Sequence, residues 1–286
     1  MKFIIHYSCL LLAFPIIAQS STDILIFDMS INNGEIKVFN MKNISNSKGY
    51  NNQPSFTNNN NFYYASSRDG QTDIIKYNID DDSKVFITHS EGGEYSPMKI
   101  PKQNNLSAVR LDKDGKQRLY SYNFKNGESS ELIPDLIIAY YTWYDENIII
   151  AAVIEDNILN LYMINLKNGI NKKIDDNVGR SFHKIPNTNL VSYISKKDPA
   201  SWLIKSLNPL TGTTKKIAKT MQGVEDICWI NNNTILSGSE SLLKKLTLQK
   251  DENWKQIINL QPQGVIKITR LIANKKNDKL LIVAEF

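Results

Sequence analysis

The chain contains 286 residues, of which 41% are hydrophobic and 22% are charged, and its formal net charge at pH 7 is +5. This is enough apolar material for one large all-β domain or two ordinary domains. No block of five or six basic residues is present, which argues against a nucleic-acid-binding tail and against a polybasic membrane patch.

Residues 1–20, MKFIIHYSCLLLAFPIIAQS, have the pattern of a secretory signal peptide. One lysine precedes an apolar stretch over residues 3–17, and the small residues Ala18 and Ser20 each offer a cleavage position. A membrane anchor is the alternative, but Pro15 interrupts the stretch, which is shorter than the roughly 20 residues of a spanning helix. We therefore expect an exported protein, periplasmic or extracellular, whose mature chain has no membrane span.

Cleavage would leave Cys228 as the one cysteine of the mature chain, so no internal disulfide can form. A domain of this length can rely on core burial instead. Because Cys228 lies between Ile227 and Trp229 on a predicted strand, we expect it to be a small buried apolar residue.

An apolar strand recurs along the chain with a nearly constant period. Its starts are separated by 44, 42, 42, 45 and 45 residues, and they lie at Phe62, Leu106, Ile148, Leu190, Ile235 and Leu280. A second strand keeps the same phase and leads into tight turns such as Asn126-Gly127 and Asn168-Gly169, which are strong hairpin signals. A period of 42–45 residues with four short strands per repeat predicts a β-propeller.

The repeats predict six blades of four antiparallel strands, labelled A to D from the central channel outward. Blade 1 would have its strands near 52–57, 62–67, 73–79 and 84–88, and the later A strands would begin near Glu94, Ile138, Gly179, Val224 and Val265. Blade 6 has only strands A and B at the C-terminal end, and residues 23–29 and 35–41 supply its strands C and D. The prediction is an all-β, six-bladed propeller formed by a single domain over residues 21–286, with its ring closed by the two chain ends. An open β-sandwich pair would explain neither the period nor the complementary ends.

The stretch over residues 54–77 resembles the TolB-type (WD-like) propeller repeat. Its components are Pro54-Ser-Phe56, then FYYASSRDG over residues 62–70, then TDIIKY over residues 72–77, and Glu94-Tyr-Ser-Pro97 matches the start of the next repeat. The family's Ser-Pro-Asp-Gly turn is replaced by Thr57-Asn-Asn-Asn60, but asparagine also suits a tight turn. The resemblance implies an exported bacterial six-bladed propeller that serves as a platform for a protein or peptide.

No residue pattern predicts a catalytic residue, a metal site or a cofactor. His89, at the end of a D strand, and His183, on an A strand, are expected to be structural or surface histidines. Asp112-Lys-Asp-Gly115 and Arg68-Asp-Gly70 lack the further acidic residues of a calcium loop, so we interpret both as ordinary B–C turns.

The D–A loops and B–C turns of a propeller gather on one face, around one mouth of the channel. This register predicts a partner-binding surface made of aromatic and charged side chains: Tyr50, Arg68, Asp69, Glu94, Tyr95, Tyr140, Arg180 and Glu225, with Tyr141, Asp198 and Asp226 beside them. Tyrosine would supply contact area, and arginine and carboxylates would orient the partner.

Two functions remain open from the sequence. The first is a monomeric, non-enzymatic binding platform for a protein or peptide of the cell envelope. The second is a glycan hydrolase or lyase that uses carboxylates such as Glu94 and Glu225 as acid and base, since paired carboxylates about 5–10 Å apart serve glycoside chemistry. The sequence favours the first function.

Overall fold

The computed structural model describes residues 21–286, so the predicted signal peptide lies outside the described residues. Within that range the chain forms 24 strands and one short 3₁₀ helix, Gln261–Gln263. The strands are arranged in six four-stranded antiparallel sheets. The predicted all-β, six-bladed propeller is therefore confirmed.

Blades 1 to 5 follow one another along the chain, each with its four strands in sequence order. The first two strands, β1 (Asp23–Asn32) and β2 (Glu35–Asn43), belong to blade 6. Blade 1 contains β3 (Asn51–Phe56), β4 (Asn61–Arg68), β5 (Gln71–Asn78) and β6 (Lys84–Phe86). Blade 2 contains β7 (Gly93–Lys99), β8 (Asn105–Leu111), β9 (Gln117–Asn123) and β10 (Ser129–Glu131). Blade 3 contains β11 (Ile138–Trp143), β12 (Ile148–Glu155), β13 (Ile158–Asn165) and β14 (Ile170–Asp175).

The remaining blades complete the ring. Blade 4 contains β15 (His183–Lys184), β16 (Val191–Ser195), β17 (Leu203–Leu207) and β18 (Thr214–Lys219). Blade 5 contains β19 (Ile227–Trp229), β20 (Thr234–Ser239), β21 (Leu242–Thr247) and β22 (Lys255–Asn259). Blade 6 joins β23 (Lys267–Ala273) and β24 (Lys279–Glu285) to the two N-terminal strands.

Strand β1 pairs with β24 from Asp23 opposite Ala284 to Asp28 opposite Lys279. The two ends of the described chain thus share one sheet, as predicted. Neither end leaves an unpaired edge inside the ring, which removes a site of edge-to-edge association.

The core is divided among the contacts between neighbouring blades. Six buried clusters are found in the described residues, one for each pair of adjacent blades. Alternation along β4 shows how this arises, because Phe62 and Tyr64 pack against blade 6 whereas Tyr63 and Ala65 pack against blade 2. Inner strands buried on both faces explain the almost continuous apolar runs in the sequence. Each large side chain buried in this way contributes about 1.5–3 kcal/mol.

The run of asparagines after β3 forms a side-chain-capped turn. The Asn58 side-chain oxygen accepts hydrogen bonds from the backbone amides of Asn60 and Asn61, both at 2.8 Å. The Asn58 side chain therefore stabilises the tight turn that the Asp-Gly pair forms in the family repeat. At the outer edges, Lys172, Lys173, Lys215 and Lys216 are exposed on β14 and β18, as expected for solvated D strands.

Blade 4 departs from the predicted pattern, because its A strand was expected near Gly179 and β15 includes only two residues. The backbone amide of Arg180 donates to Glu225 Oε2 at 3.2 Å, across the blade boundary. A side chain at Gly179 would place its Cβ 2.5 Å from the same carboxylate oxygen. The pairing with β16 begins at the Val178–Ser195 bridge and the Gly179 amide, is interrupted beside the Glu225 contact, and resumes at β15. Over residues 21–286 no helix is long and apolar enough to cross a membrane.

Candidate functional site: the loop mouth of the central channel

The A strands and the residues flanking them line a central channel of about 550 Å³. Each A strand begins at the D–A loops and ends at an A–B turn, so the channel has two different mouths. We call the D–A loop end the loop mouth and the A–B turn end the turn mouth. The volume is within the range of about 300–1,000 Å³ typical of ligand pockets.

Each blade contributes one large or charged side chain to the loop mouth. Blades 1 to 3 each supply one tyrosine, at intervals of 45 residues. We call these three residues the tyrosine arc: Tyr50, Tyr95 and Tyr140. Blades 4 to 6 supply the Arg–Asp–Arg cluster: Arg180, Asp226 and Arg270. One half of the rim is therefore aromatic and the other half is ionic.

Two rings of the tyrosine arc, Tyr50 and Tyr95, pack edge to face, and the third, Tyr140, lines the channel. The rings of Tyr50 and Tyr95 are 5.9 Å apart with an interplanar angle of 68°. The guanidinium of Arg270 lies 5.4 Å from the ring centroid of Tyr140, so the two halves of the rim touch. Burial raises the pKa of Tyr50 above its ordinary value, and the hydroxyl stays neutral at physiological pH.

The Arg–Asp–Arg cluster is held by one shared carboxylate. Arg180 donates to Asp226 Oδ2 from Nε at 3.0 Å and from Nη2 at 2.5 Å, and Arg270 Nη1 lies 3.4 Å from Asp226 Oδ1. Arg180 Nη2 also donates to the Thr269 carbonyl at 3.0 Å. Burial opposes the charge of Arg180, but Asp226 outweighs that effect and raises its pKa. The cluster therefore fixes both guanidinium groups at the rim.

Glu225 lies beside this cluster. Its carboxylate accepts the Arg180 backbone amide and pairs with Lys196 Nζ at 3.7 Å, while the Lys196 ammonium also lies 4.1 Å from the centroid of the Trp202 ring. Glu225 Oε1 also lies 3.7 Å from Arg180 Nε, so Glu225 holds both the backbone and the guanidinium of Arg180.

The structure brings together five of the eight predicted binding residues: Tyr50, Tyr95, Tyr140, Arg180 and Glu225. Arg68 and Asp69 are exposed on the B–C turn of blade 1, where the Arg68 guanidinium stacks 4.1 Å from the centroid of Phe86 on the outer strand β6. They point away from the rim. Tyr141 is buried between blades, where its hydroxyl donates to Ser107 Oγ at 2.8 Å, and Asp198 is exposed on a B–C turn.

Glu94 is enclosed between blades 1 and 2, away from the channel lining. Its side chain is fully buried and accepts hydrogen bonds from the hydroxyls of Ser90, Thr88 at 3.2 Å and Tyr122 at 3.3 Å. Burial raises the pKa of Glu94 to about 7, and the neighbouring Asp73 adds to the effect. No cation pairs with this carboxyl group among the described residues.

The other candidate residues of the sequence have structural surroundings. His183 faces the channel and its Nε2 is 3.0 Å from Ser181 Oγ, while burial lowers its pKa to about 4. His89 is exposed at the end of a D strand. Cys228 is buried and accepts the Ala273 amide at 3.2 Å, and burial raises its pKa to about 12.

The Asp112–Gly115 segment is a tight turn rather than a calcium loop. The Gly115 amide donates to the Asp112 carbonyl at 2.9 Å, and the Asp112 carboxylate accepts from Arg110 Nε at 2.6 Å and from Arg118 Nη1 at 2.8 Å. Arginines therefore occupy the positions around the carboxylate.

Sequence reasoning missed Arg270 and three lysines at the turn mouth: Lys99, Lys184 and Lys275. A signal for Arg270 existed, since it lies 44 residues after Asp226, which is one repeat period. The lysines lie where A strands end, and only the assembled ring shows that they line one channel.

No protein-family model and no curated protein matches the chain. Solved structures do match it. A TolB protein from Agrobacterium tumefaciens aligns with a TM-score of 0.70 at 10% identity, over 94% of this chain and 99% of the other. TolB from Acinetobacter baumannii aligns with a TM-score of 0.58 at 11% identity, over 91% of this chain and 63% of the other. A chain of a nidogen/laminin complex aligns with a TM-score of 0.62 at 9% identity, over 92% and 98%. These similarities confirm the TolB-like propeller fold.

Proposed function

We propose that the protein is an exported, non-enzymatic propeller that holds a segment of a protein or peptide at the loop mouth of its channel. The observation that carries the proposal is the rim itself, with the tyrosine arc on one side and the Arg–Asp–Arg cluster on the other. Tyrosine and arginine are the residue types that contribute most to binding at protein interfaces. The similar nidogen/laminin structure is a complex of two proteins, which agrees with a binding role for this architecture.

The rim offers two kinds of contact to a partner: aromatic area for packing and guanidinium groups that orient it. The tyrosine rings present rigid area at low entropic cost. Arg180 and Arg270 are already held by Asp226, so their guanidinium groups lose little freedom when a partner binds. Export of the chain rests on the predicted signal peptide over residues 1–20, and the partner would therefore belong to the cell envelope.

Glycan hydrolysis or cleavage by Glu94 and Glu225 has less support. The Glu94 carboxyl group is fully buried between two blades, so a polysaccharide cannot reach it in this conformation. Glu225 is paired with Lys196 and with the backbone of Arg180. An acid and a base that share one open cleft are required for this chemistry.

Affinity capture from envelope extract of the host tests the proposal. The wild-type protein is compared with Tyr140→Ala at the loop mouth and with Phe39→Ala, which removes an aromatic ring 47% exposed on the outer strand β2. We expect a partner that the wild type and Phe39→Ala retain and that Tyr140→Ala retains about tenfold less. Equal retention by all three proteins, or no retained protein, contradicts the proposal.

A further inference from the structure

The charges that line the channel are strongly unbalanced. Among the described residues lining it, only one is acidic, Asp226, whereas five are basic: Lys99, Arg180, Lys184, Arg270 and Lys275. His183 also faces the channel, but its low pKa of about 4 keeps it neutral at physiological pH. A cleft lined by one sign of charge focuses the field and concentrates ions of the opposite sign.

At the loop mouth, both arginines pair with Asp226, and Arg180 Nε also lies 3.7 Å from Glu225 Oε1. Arg270 reaches Asp226 only through Nη1 at 3.4 Å, and its buried Nε has no hydrogen-bond partner among the described residues. A buried donor without a partner costs about 1–3 kcal/mol. The single long contact with Asp226 leaves the Arg270 guanidinium only partly paired at the channel lining.

At the turn mouth, three exposed lysines come from alternate blades. Lys99 ends the A strand of blade 2, Lys184 ends that of blade 4, and Lys275 follows that of blade 6. No ion pair joins any of them to a carboxylate of residues 21–286, although the Lys184 ammonium is 5.7 Å from the centroid of the Tyr144 ring. The three like charges therefore surround the same opening without compensation from the protein.

The wall between the two cationic ends is largely apolar, with Phe56, Met98, Phe182 and Ile272 among its lining residues. Arg180 and Lys184 are four residues apart, so the two ends are separated by at most about 14 Å of extended chain. A compact anion cannot contact both ends. An extended peptide rises about 3.3 Å per residue, so side chains four positions apart match the separation and lie on the same face.

We infer that the segment held by the propeller is an extended acidic peptide, with carboxylates about four residues apart and apolar residues between them. One carboxylate binds at Arg180 and Arg270, and the other binds among Lys99, Lys184 and Lys275. This inference rests on the proposed function and adds the chemical class of the ligand.

The test uses three pools of seven-residue peptides, acetylated and amidated at their ends. Positions 2 and 6 are glutamate in the first pool, glutamine in the second and lysine in the third, and the other five positions carry mixtures of uncharged residues. Each pool is passed over the immobilised protein at low salt, and the retained peptides are quantified by mass spectrometry. A fourth pool with glutamates at positions 2 and 3 tests the spacing.

Two double variants of equal charge change locate the site. Lys99→Gln with Lys184→Gln removes two cations from the turn mouth, and Lys215→Gln with Lys216→Gln removes two from the outer strand β18. All four side chains are exposed or at the surface, so both variants are expected to fold. Raising the salt from 50 to 300 mM tests the electrostatic origin, because screening weakens contacts between exposed charges.

We expect the first pool to be retained at least tenfold more than each of the other three, and the turn-mouth variant to reduce this retention about tenfold. The control variant should change it by less than twofold. Retention of the glutamine or lysine pool to the same extent would overturn the acidic preference while leaving peptide binding intact. Retention of no pool, or equal loss in both double variants, would overturn the channel site, and the capture experiment would then decide the proposed function separately.

Discussion

The buried Glu94 carboxyl group makes the stability of the ring depend on pH. Its pKa is raised from the ordinary value of 4.5 to about 7 because burial disfavours the charged form. The folded state therefore holds a proton that the unfolded state has already lost, and stability falls as the pH rises from about 4.5 to about 7. At about 1.4 kcal/mol per pH unit, the full loss is about 3 kcal/mol. The Glu94→Gln variant cannot ionise, so it should lose about 3 kcal/mol less than the wild type over this range.

The assay is urea unfolding of both proteins at pH 4.5 and at pH 8, with the same m-value required of both. Only the difference between the two pH values is compared, because the amide of Glu94→Gln changes the hydrogen bonds to Ser90 and Tyr122 by an amount common to both conditions. Glu252→Gln, on an exposed loop, is the matched control and should behave like the wild type. If Glu94→Gln and the wild type lose the same free energy between the two pH values, the carboxyl group does not titrate in this range and the reasoning is refuted.

Three further substitutions test the ionic and packing arguments by urea unfolding. Asp226→Asn removes the carboxylate that Arg180 and Arg270 share, and it should lower the free energy of unfolding by about 2–4 kcal/mol at pH 7. The control Asp198→Asn, on an exposed turn, should lower it by less than about 0.5 kcal/mol. Similar losses in the two variants would contradict the shared ion pair. Burial opposes the charge of Asp175, but two lysines hold its pKa at about 2. The free energy of unfolding of the wild type should therefore fall by about 2 kcal/mol as the pH drops from about 4 to 2. Asp175→Asn should lack this loss. Gly238→Ala places a Cβ 2.3 Å from Ile268 Cγ2 and should lower the free energy of unfolding by about 1–3 kcal/mol. Combining it with Ile268→Ala should recover most of this loss. If the losses of the two single variants simply add in the double variant, this contact does not cause the loss.

The six-bladed architecture was predictable because two independent features of each repeat, the apolar B strand and the hairpin turn, keep the same period. The apolar B strands recur every 42–45 residues, and the turn glycines mark the hairpins between them. The strand pairs at the two ends, residues 23–43 and 267–285, are each insufficient for a blade, and together they form one. Because each blade must bury both faces, the pattern of apolar residues specifies the ring as well as its units.

The candidate site was predictable only in part, because strand alternation alone does not assign a side chain to a face. Glu94 and Tyr95 are adjacent on β7, yet both face blade 1: Glu94 accepts from Thr88, and Tyr95 packs in the cluster between blades 1 and 2. A bulge at Ser96, where φ is +50°, interrupts the regular alternation of β7, and its position is not visible in the sequence. Arg68 fails for another reason, because stacking on Phe86 draws its long side chain outward along the blade.

Site-specific photo-crosslinking tests directly whether the loop mouth holds a segment of another protein. The photoreactive p-benzoylphenylalanine replaces Tyr140 at the loop mouth in one protein and Phe39 on the outer strand β2 in another. Both proteins are irradiated with envelope extract of the host, and the crosslinked peptides are sequenced. We expect a discrete crosslink from position 140 to one protein segment, with glutamate or aspartate residues about four positions apart, and none to that segment from position 39. The same products from both positions, or no product from position 140, would contradict the loop mouth as the binding site.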